Sequence, residues 1–507
     1  MIDQNQLQNE WPIAILKCII VAVVAGCIAL TFVVAQNEKE FLLAILGTMC
    51  LVVVSFPLFV RRGISVFEPL VFIVMLVVIG TPMKLIYVLW FRGTDEYIAN
   101  HILLHQEPQV FFTGTIVCLV GWICFVIGYM LRFPKAPLGP IFFPHINEWN
   151  GRKLQMAILA IGTISVLGFL AFVATENVSF SSFTDMSKKR LLDARESGGE
   201  RIHSMTYIFI RLAAFSKFIV YFCLVWTIHR RKSFVSWTGA LLVLAIVQTI
   251  LLSVLLNSRA GIALLLLDCT VLSYYLSKKV DIKLVGAFFA VAVLLMIPML
   301  AARGQREGHN INKSMNTLLA KTFNGRNMLD ISKCCHIING VPRKMEYRNG
   351  EMLYAWLAAP IPTSQWPDKP KWTGQGVIVS QKIFGNKSDI NGCPPSLIGE
   401  LQWNFGWAGV WIGLFLAGLV YRQIFIAFYP HRDNPTCILL YTLIVTRFVV
   451  FSLGNDLGTG IVKAGLDLLP VLMVLFFIGM HRPPEVEQVE EVEVESTIEE
   501  SHPLELV

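Results

Sequence analysis

About twelve apolar runs, each of about 16–26 residues, recur between Pro12 and Met480, and that recurrence constrains the fold more than any other feature. A run of this length satisfies its own backbone hydrogen bonds in lipid only as a helix. Repeated runs therefore specify a bundle of membrane-crossing helices rather than a globule around one core. The runs are 12–34, 41–60, 65–90, 109–131, 154–175, 205–228, 234–256, 261–276, 284–301, 404–421, 437–453 and 464–480. Composition agrees, since 55% of the 507 residues are hydrophobic and only 15% are charged. The expected class is all-α, a polytopic bundle of about 12 transmembrane helices across residues 1–482.

Orientation follows from positive residues, which resist translocation when they flank a span. With the N-terminus inside, every even-numbered connection falls in the cytoplasm. Those connections hold Arg61 and Arg62, Arg132 to Lys153, Arg230 to Lys232, Lys278 to Lys283, and Arg422 with Arg432. Two longer outside segments, residues 176–204 and 302–403, are basic as well, and long loops cross despite their charge. No basic segment precedes the first run and no small-residue cleavage site follows it, so it reads as a retained span. Residues 483–507 carry nine glutamates and no Lys or Arg against a net charge of +7 for the whole chain, and read as a disordered acidic cytoplasmic tail.

The segment 302–403 is too long for a passive connector. Its first part reads as two short amphipathic helices broken near Asn324 and Gly325. Its second, "AAPIPTSQWPDKPKWTG", reads as an extended Pro-rich clamp. Cys334, Cys335 and Cys393 fall outside the spans, where Cys393 pairs with either of the other two in an oxidising compartment; spacing does not choose. No metal site is expected, since these thiols have no nearby His pattern. Phosphate loops, dinucleotide fingerprints and HExxH are all missing, and no cofactor or nucleic-acid partner is expected.

Charges inside spans are costly and direct attention to themselves. Lys17 and Glu68 lie near inner ends and are expected to snorkel to the interface. Asp268 falls near mid-membrane. Towards the outer half lie Arg211 and the deeper Lys217, Arg259 at the connection "LLNSRAG", Arg303 and Arg306 in "AARGQREG", and Arg447 two turns from the end of its span. Asp467 and Asp456 flank the level of Arg447. Each residue alone reads as readily as an ion pair, Arg447 with Asp456 or Glu400 for example. As a set, cations outnumber carboxylates, and guanidinium forks suit phosphate oxygens such as those of a lipid diphosphate.

Ahead of the tenth run stands "PPSLIGELQWNFGWAGVWIG", with Glu400 and Asn404 one helical turn apart. Trp403, Trp407 and Trp411 follow an i, i+4, i+8 stripe, which reads as an interfacial belt. Gly406, Gly409 and Gly413 are expected to admit a neighbouring helix.

Pro362, Trp366 to Pro370, Pro395, Ser396, Gly399, Glu400, Asn404 to Gly406, Gly409 and Gly413 together resemble the oligosaccharide repeat-unit polymerase (O-antigen polymerase) family. About sixty residues carry the likeness; elsewhere it is architectural, in the many spans and the large loop before the last three helices. The resemblance implies a glycosyltransferase at the outer face of the bacterial inner membrane, with both termini cytoplasmic. It would move a growing glycan from undecaprenyl diphosphate to the next lipid-linked repeat unit of an O-antigen, capsule or exopolysaccharide. Diphosphate is a good leaving group, so arginines rather than a metal would stabilise it. Glu400 is the expected base, with Asp368 or His309 as substitutes, and Arg259 and Arg303 the expected catalytic cations. Arg306, Arg211, Arg447, Arg190, Arg195, Trp366, Asp368, Lys369 and Asn404 are the expected substrate contacts. Membrane lipids, a chain-length regulator and a flippase are the implied partners. A lipid-linked oligosaccharide flippase and an O-antigen ligase-like transferase are the competing readings. The ligase reading depends on a loop histidine, His309 or His336.

Overall fold

A computed structural model describes residues 4–61, 63–90, 108–131, 149–175, 204–230, 236–256, 258–277, 329–358, 361, 365–367, 375–385 and 393–479. Among them the regular elements are all helical. The helices are α1 (Gln4–Val34), α2 (Glu38–Val60), α3 (Pro69–Trp90), α4 (Pro108–Met130) and α5 (Gly151–Thr175). Next come α6, built from Ser204–Ala213 and Ser216–His229, then α7 (Trp237–Leu255) and α8 (Arg259–Ser277). After the short α9 (Ile331–Gly340) and α10 (Gln375–Lys382) come α11 (Ser396–Phe428), α12 (Pro435–Gly454) and α13 (Leu457–Gly479). Eleven of these are long and apolar enough to cross a membrane. They coincide with eleven of the expected runs, and the chain is a multi-pass helical membrane protein. The remaining run, 284–301, lies outside the described residues, as do the first expected loop helix and most of the Pro-rich clamp.

Two apolar clusters organise the bundle. One joins α1 to α4 with α9 and α11, and the other joins α5 to α8 with α12 and α13. The tightest seam is α4 against α11. A Cβ on Gly128 would strike the carbonyl of Phe415, and one on Gly418 the carbonyl of Phe125, so only glycine lets these backbones meet. Gly409 and Gly413, expected to admit a neighbouring helix, instead face Leu401 and Phe405 of their own helix.

The cause is Gly406, whose φ of 67° and ψ of −157° are closed to residues with a Cβ. Leu401 and Gly413 would lie about 18 Å apart along a straight helix, yet they touch. The head of α11, residues 396–405, therefore folds back at Gly406. This also breaks the expected tryptophan stripe: Trp403 is buried at 1% exposure while Trp407 is 48% exposed. Carbonyls freed at the break are taken up by a neighbouring turn. Arg348 N donates to Trp403 O at 3.0 Å and Asn349 N to Asn404 O at 3.1 Å.

The end of the bundle from which the 302–403 segment emerges is termed the loop face. At the opposite end Glu68 does not snorkel. It is fully buried, and its Oε1 accepts from Arg61 (2.5 Å), Tyr129 (2.5 Å) and Arg422 (3.1 Å). Depth alone suggested an exposed carboxylate; two arginines on other segments make burial affordable. Lys17 rests over the Phe59 ring, 5.9 Å from its centroid.

Candidate functional site

Four helices bring charge together in the loop half of the bundle. On α13, Asp467 lies about 15 Å from the helix start and Lys463 about 9 Å, and their i, i+4 spacing puts both on one side. Asp467 Oδ1 takes Lys217 Nζ of α6 at 2.5 Å, and its Oδ2 takes Arg447 Nε at 2.7 Å. Arg447 Nη2 also donates to Asp268 Oδ2 of α8 at 2.6 Å and to Tyr221 Oη at 2.9 Å. Arg447 is presented by a π-helical turn, Val445–Val450, inside α12. Its guanidinium is thus spent on two carboxylates.

This corrects the expectation that Arg447 is held in reserve for an anion. Its partners are Asp268 and Asp467, and neither Asp456 nor Glu400, because the π turn aims it towards α8 and α13. Paired buried charges of this kind are mutually dependent, since removal of one leaves another uncompensated.

Lys463 differs from its neighbours. Its ammonium lies 3.5 Å from the centroid of the Phe451 ring, and among the described residues no carboxylate comes within ion-pair distance. Arg211, Lys217 and Arg447 are all within electrostatic reach of it, and so are the carboxylates of Asp467 and Asp456. This set brings Arg211, Lys217, Arg447 and Lys463 together with the carboxylates of Asp268 and Asp467, and with Asp456 and Glu400 towards its mouth. In the sequence Lys463 stands just ahead of the apolar run 464–480, outside the charges that the span itself makes conspicuous. Its i, i+4 relation to Asp467 was the available signal.

Glu400 sits in the folded-back head of α11 at 1% exposure. Its Oε2 accepts from Leu457 N at 2.5 Å, the first residue of α13, and Asp456 Oδ1 accepts from Thr459 N at 2.7 Å. Two carboxylates therefore satisfy free N–H groups at the positive end of the α13 dipole. Burial pushes the Asp456 carboxyl above its ordinary range. Glu400 Oε1 has no hydrogen-bond partner among the described residues. Of the carboxylate expected as the base, one oxygen is taken by the start of α13.

Asn404, expected to contact substrate, is fully buried and structural. Its Oδ1 accepts from Gly350 N at 3.0 Å and its Nδ2 donates to Glu400 O at 2.8 Å, so it ties the head of α11 to the adjacent turn. Trp403 donates its indole N–H to Glu346 O at 3.0 Å, under the Arg348 guanidinium. Trp366 is 43% exposed. Arg259 begins α8, but its side chain is outside the described set. Arg190, Arg195, Arg303, Arg306, His309, Asp368 and Lys369 lie outside the described residues.

The expected outside cysteines are buried. Helix α9 is buried on nearly every side, wedged against α4 and α11, with Asp330 capping its start and pairing with Lys84 of α3 at 3.4 Å. Cys334 Sγ lies 3.3 Å from Ser396 Oγ, and Cys335 faces Phe111 O at 3.7 Å. Neither is bridged to Cys393, and none of the three is in a disulfide. His336 stacks edge-on between Phe111 and Phe384, and burial lowers its pKa to about 4. No described group of His, Cys, Asp and Glu could hold a metal ion. Comparison with known protein families, curated proteins and solved structures returns no match.

Proposed function

We propose that the chain is a membrane glycosyltransferase that polymerises undecaprenyl-diphosphate-linked oligosaccharide repeat units of a bacterial surface polysaccharide. The reaction takes place on the loop face, taken as the outer face of the inner membrane. The observation that carries this reading is Lys463, an ammonium part-way into the bundle held over an aromatic ring with no direct ion pair among the described residues, beside Arg211, Lys217 and Arg447. A cluster of cations at this depth suits a diphosphate leaving group, which needs charge stabilisation more than a proton donor. Arg259, Arg303 and Arg306 are the further cations that the family resemblance would assign to the same step. Glu400 remains the candidate base through Oε1, the oxygen that α13 leaves unused.

The test is reconstitution of the full chain in liposomes with lipid-linked repeat units supplied on the loop face. Chain lengthening, read as a gel ladder, supports the transferase. Lys463→Gln is expected to lower it by about 10²–10³-fold. A full ladder from that variant removes the basis for the reading.

One observation favours a second reading, a flippase for the same lipid. The Lys217–Asp467–Arg447–Asp268 network is the kind of buried ionic chain used in ion-coupled transport. Movement of the lipid between leaflets without lengthening would select it.

A further inference from the structure

The fold-back at Gly406 creates a second concavity on the loop face. A groove of about 1920 Å³ is bounded by residues 37–43 at the start of α2, the start of α4, the turn 338–347 and the break in α11. Small-molecule sites commonly run to about 300–1,000 Å³, so the groove has room for an extended ligand. Glu400 and Gln402 are two residues apart in a helix and point in nearly opposite directions. Glu400 turns to α13 and the cations, while Gln402 lines the groove. The head of α11 is thus a wall between two sites.

Their chemistry differs. Among the described residues the ionic lining of the groove is balanced, Glu38 and Glu40 against Lys39 and Arg343, so these offer no excess charge to a diphosphate. Gln402 is 1% exposed, yet its Oε1 has no hydrogen-bond partner among the described residues. A buried amide oxygen left unsatisfied is costly and asks for a donor. Phe405 and Trp407, each 48% exposed, stand on either side of the break as ring faces. An amide that needs a donor, exposed aromatic faces and no net charge match a neutral polyhydroxylated chain. Its apolar ring faces stack while its hydroxyls donate.

We propose that this groove binds a neutral glycan segment, with Trp407 and Phe405 as stacking platforms and Gln402 as a hydroxyl acceptor. The assignment stands on the lining of the groove. Its place in chain growth, holding the glycan on the far side of α11 from the diphosphate, rests on the transferase reading.

Isothermal titration of the full chain in nanodiscs tests it. The probe is phosphate-free oligosaccharide released by mild acid from the surface polysaccharide of the cells that carry the protein. Saturable binding is expected, weakened at least about tenfold by Trp407→Ala, which alters a half-exposed side chain and so spares the fold. Gln402→Leu should act likewise and Lys463→Gln should not. No saturable binding at millimolar probe, or binding indifferent to Trp407→Ala, overturns the proposal. So does displacement by sugar-free undecaprenyl diphosphate or phosphatidylglycerol, which would make the groove a lipid site. Glycan binding without chain lengthening sinks the transferase and spares the groove; lengthening with an inert groove does the reverse.

Discussion

Arg447 is shared by two carboxylates, Nη2 to Asp268 Oδ2 at 2.6 Å and Nε to Asp467 Oδ2 at 2.7 Å, so one side chain on α12 ties α8 to α13. Removing it strands Asp268, whose other oxygen already lacks a partner. Arg447→Met is expected to cost about 3–5 kcal/mol, and adding Asp268→Asn should recover most of that. Thermal unfolding in detergent measures both; a double variant no better than the single one would show that the two residues are not coupled.

Glu400 separates two roles that a single substitution confuses. Glu400→Gln keeps a carbonyl oxygen for Leu457 N, so the melting temperature should stay near that of the parent. Glu400→Ala removes the cap and should lower stability by about 0.5–2 kcal/mol. If Glu400 also takes the acceptor proton, Glu400→Gln alone lowers chain lengthening by about 10²–10⁴-fold. A ladder of normal length from Glu400→Gln would leave Glu400 with capping only.

Gly406→Ala places a Cβ at φ 67°, ψ −157° and against the Tyr347 ring. The expected loss is about 1–3 kcal/mol. Because the carbonyls of Trp403 and Asn404 would then lose the turn that receives them, limited proteolysis should cut first near residues 346–350. Unchanged stability and cleavage would mean that the break does not depend on glycine.

Acid sensitivity should trace to His336. Burial holds its folded pKa at about 4 against an ordinary 6.5, so below pH 6.5 the unfolded chain takes up a proton that the folded one refuses. Stability from this group is intact above pH 6.5 and declines as pH falls towards 4, by about 3 kcal/mol at the limit. His336→Leu should flatten the melting temperature over that range. The same slope in variant and parent would place the acid sensitivity elsewhere.

The spans were legible because each is a long apolar run, and eleven reappear as helices within a few residues at most ends. Tertiary pairing was not. Asp268, Asp467 and Arg447 each stood out as charges in apolar sequence, but their partnership depends on how α8, α12 and α13 face one another, which one sequence does not state. The fold-back at Gly406 is hidden for a different reason: it falls two residues inside the apolar run 404–421, and glycine there reads as a packing residue. Glu68 is not legible because depth in a span predicts solvent access only where no neighbour covers the residue. Lys463 stands at the edge of its run, where only its spacing from Asp467 marks it.

The knot of Arg61, Tyr129 and Arg422 around Glu68 works as a clamp. Separating the elements it joins would strand a carboxylate in apolar surroundings at a cost of several kcal/mol. The end of α2, the start of α3, the end of α4 and the later part of α11 that meet there are thereby fixed to one another by a single side chain.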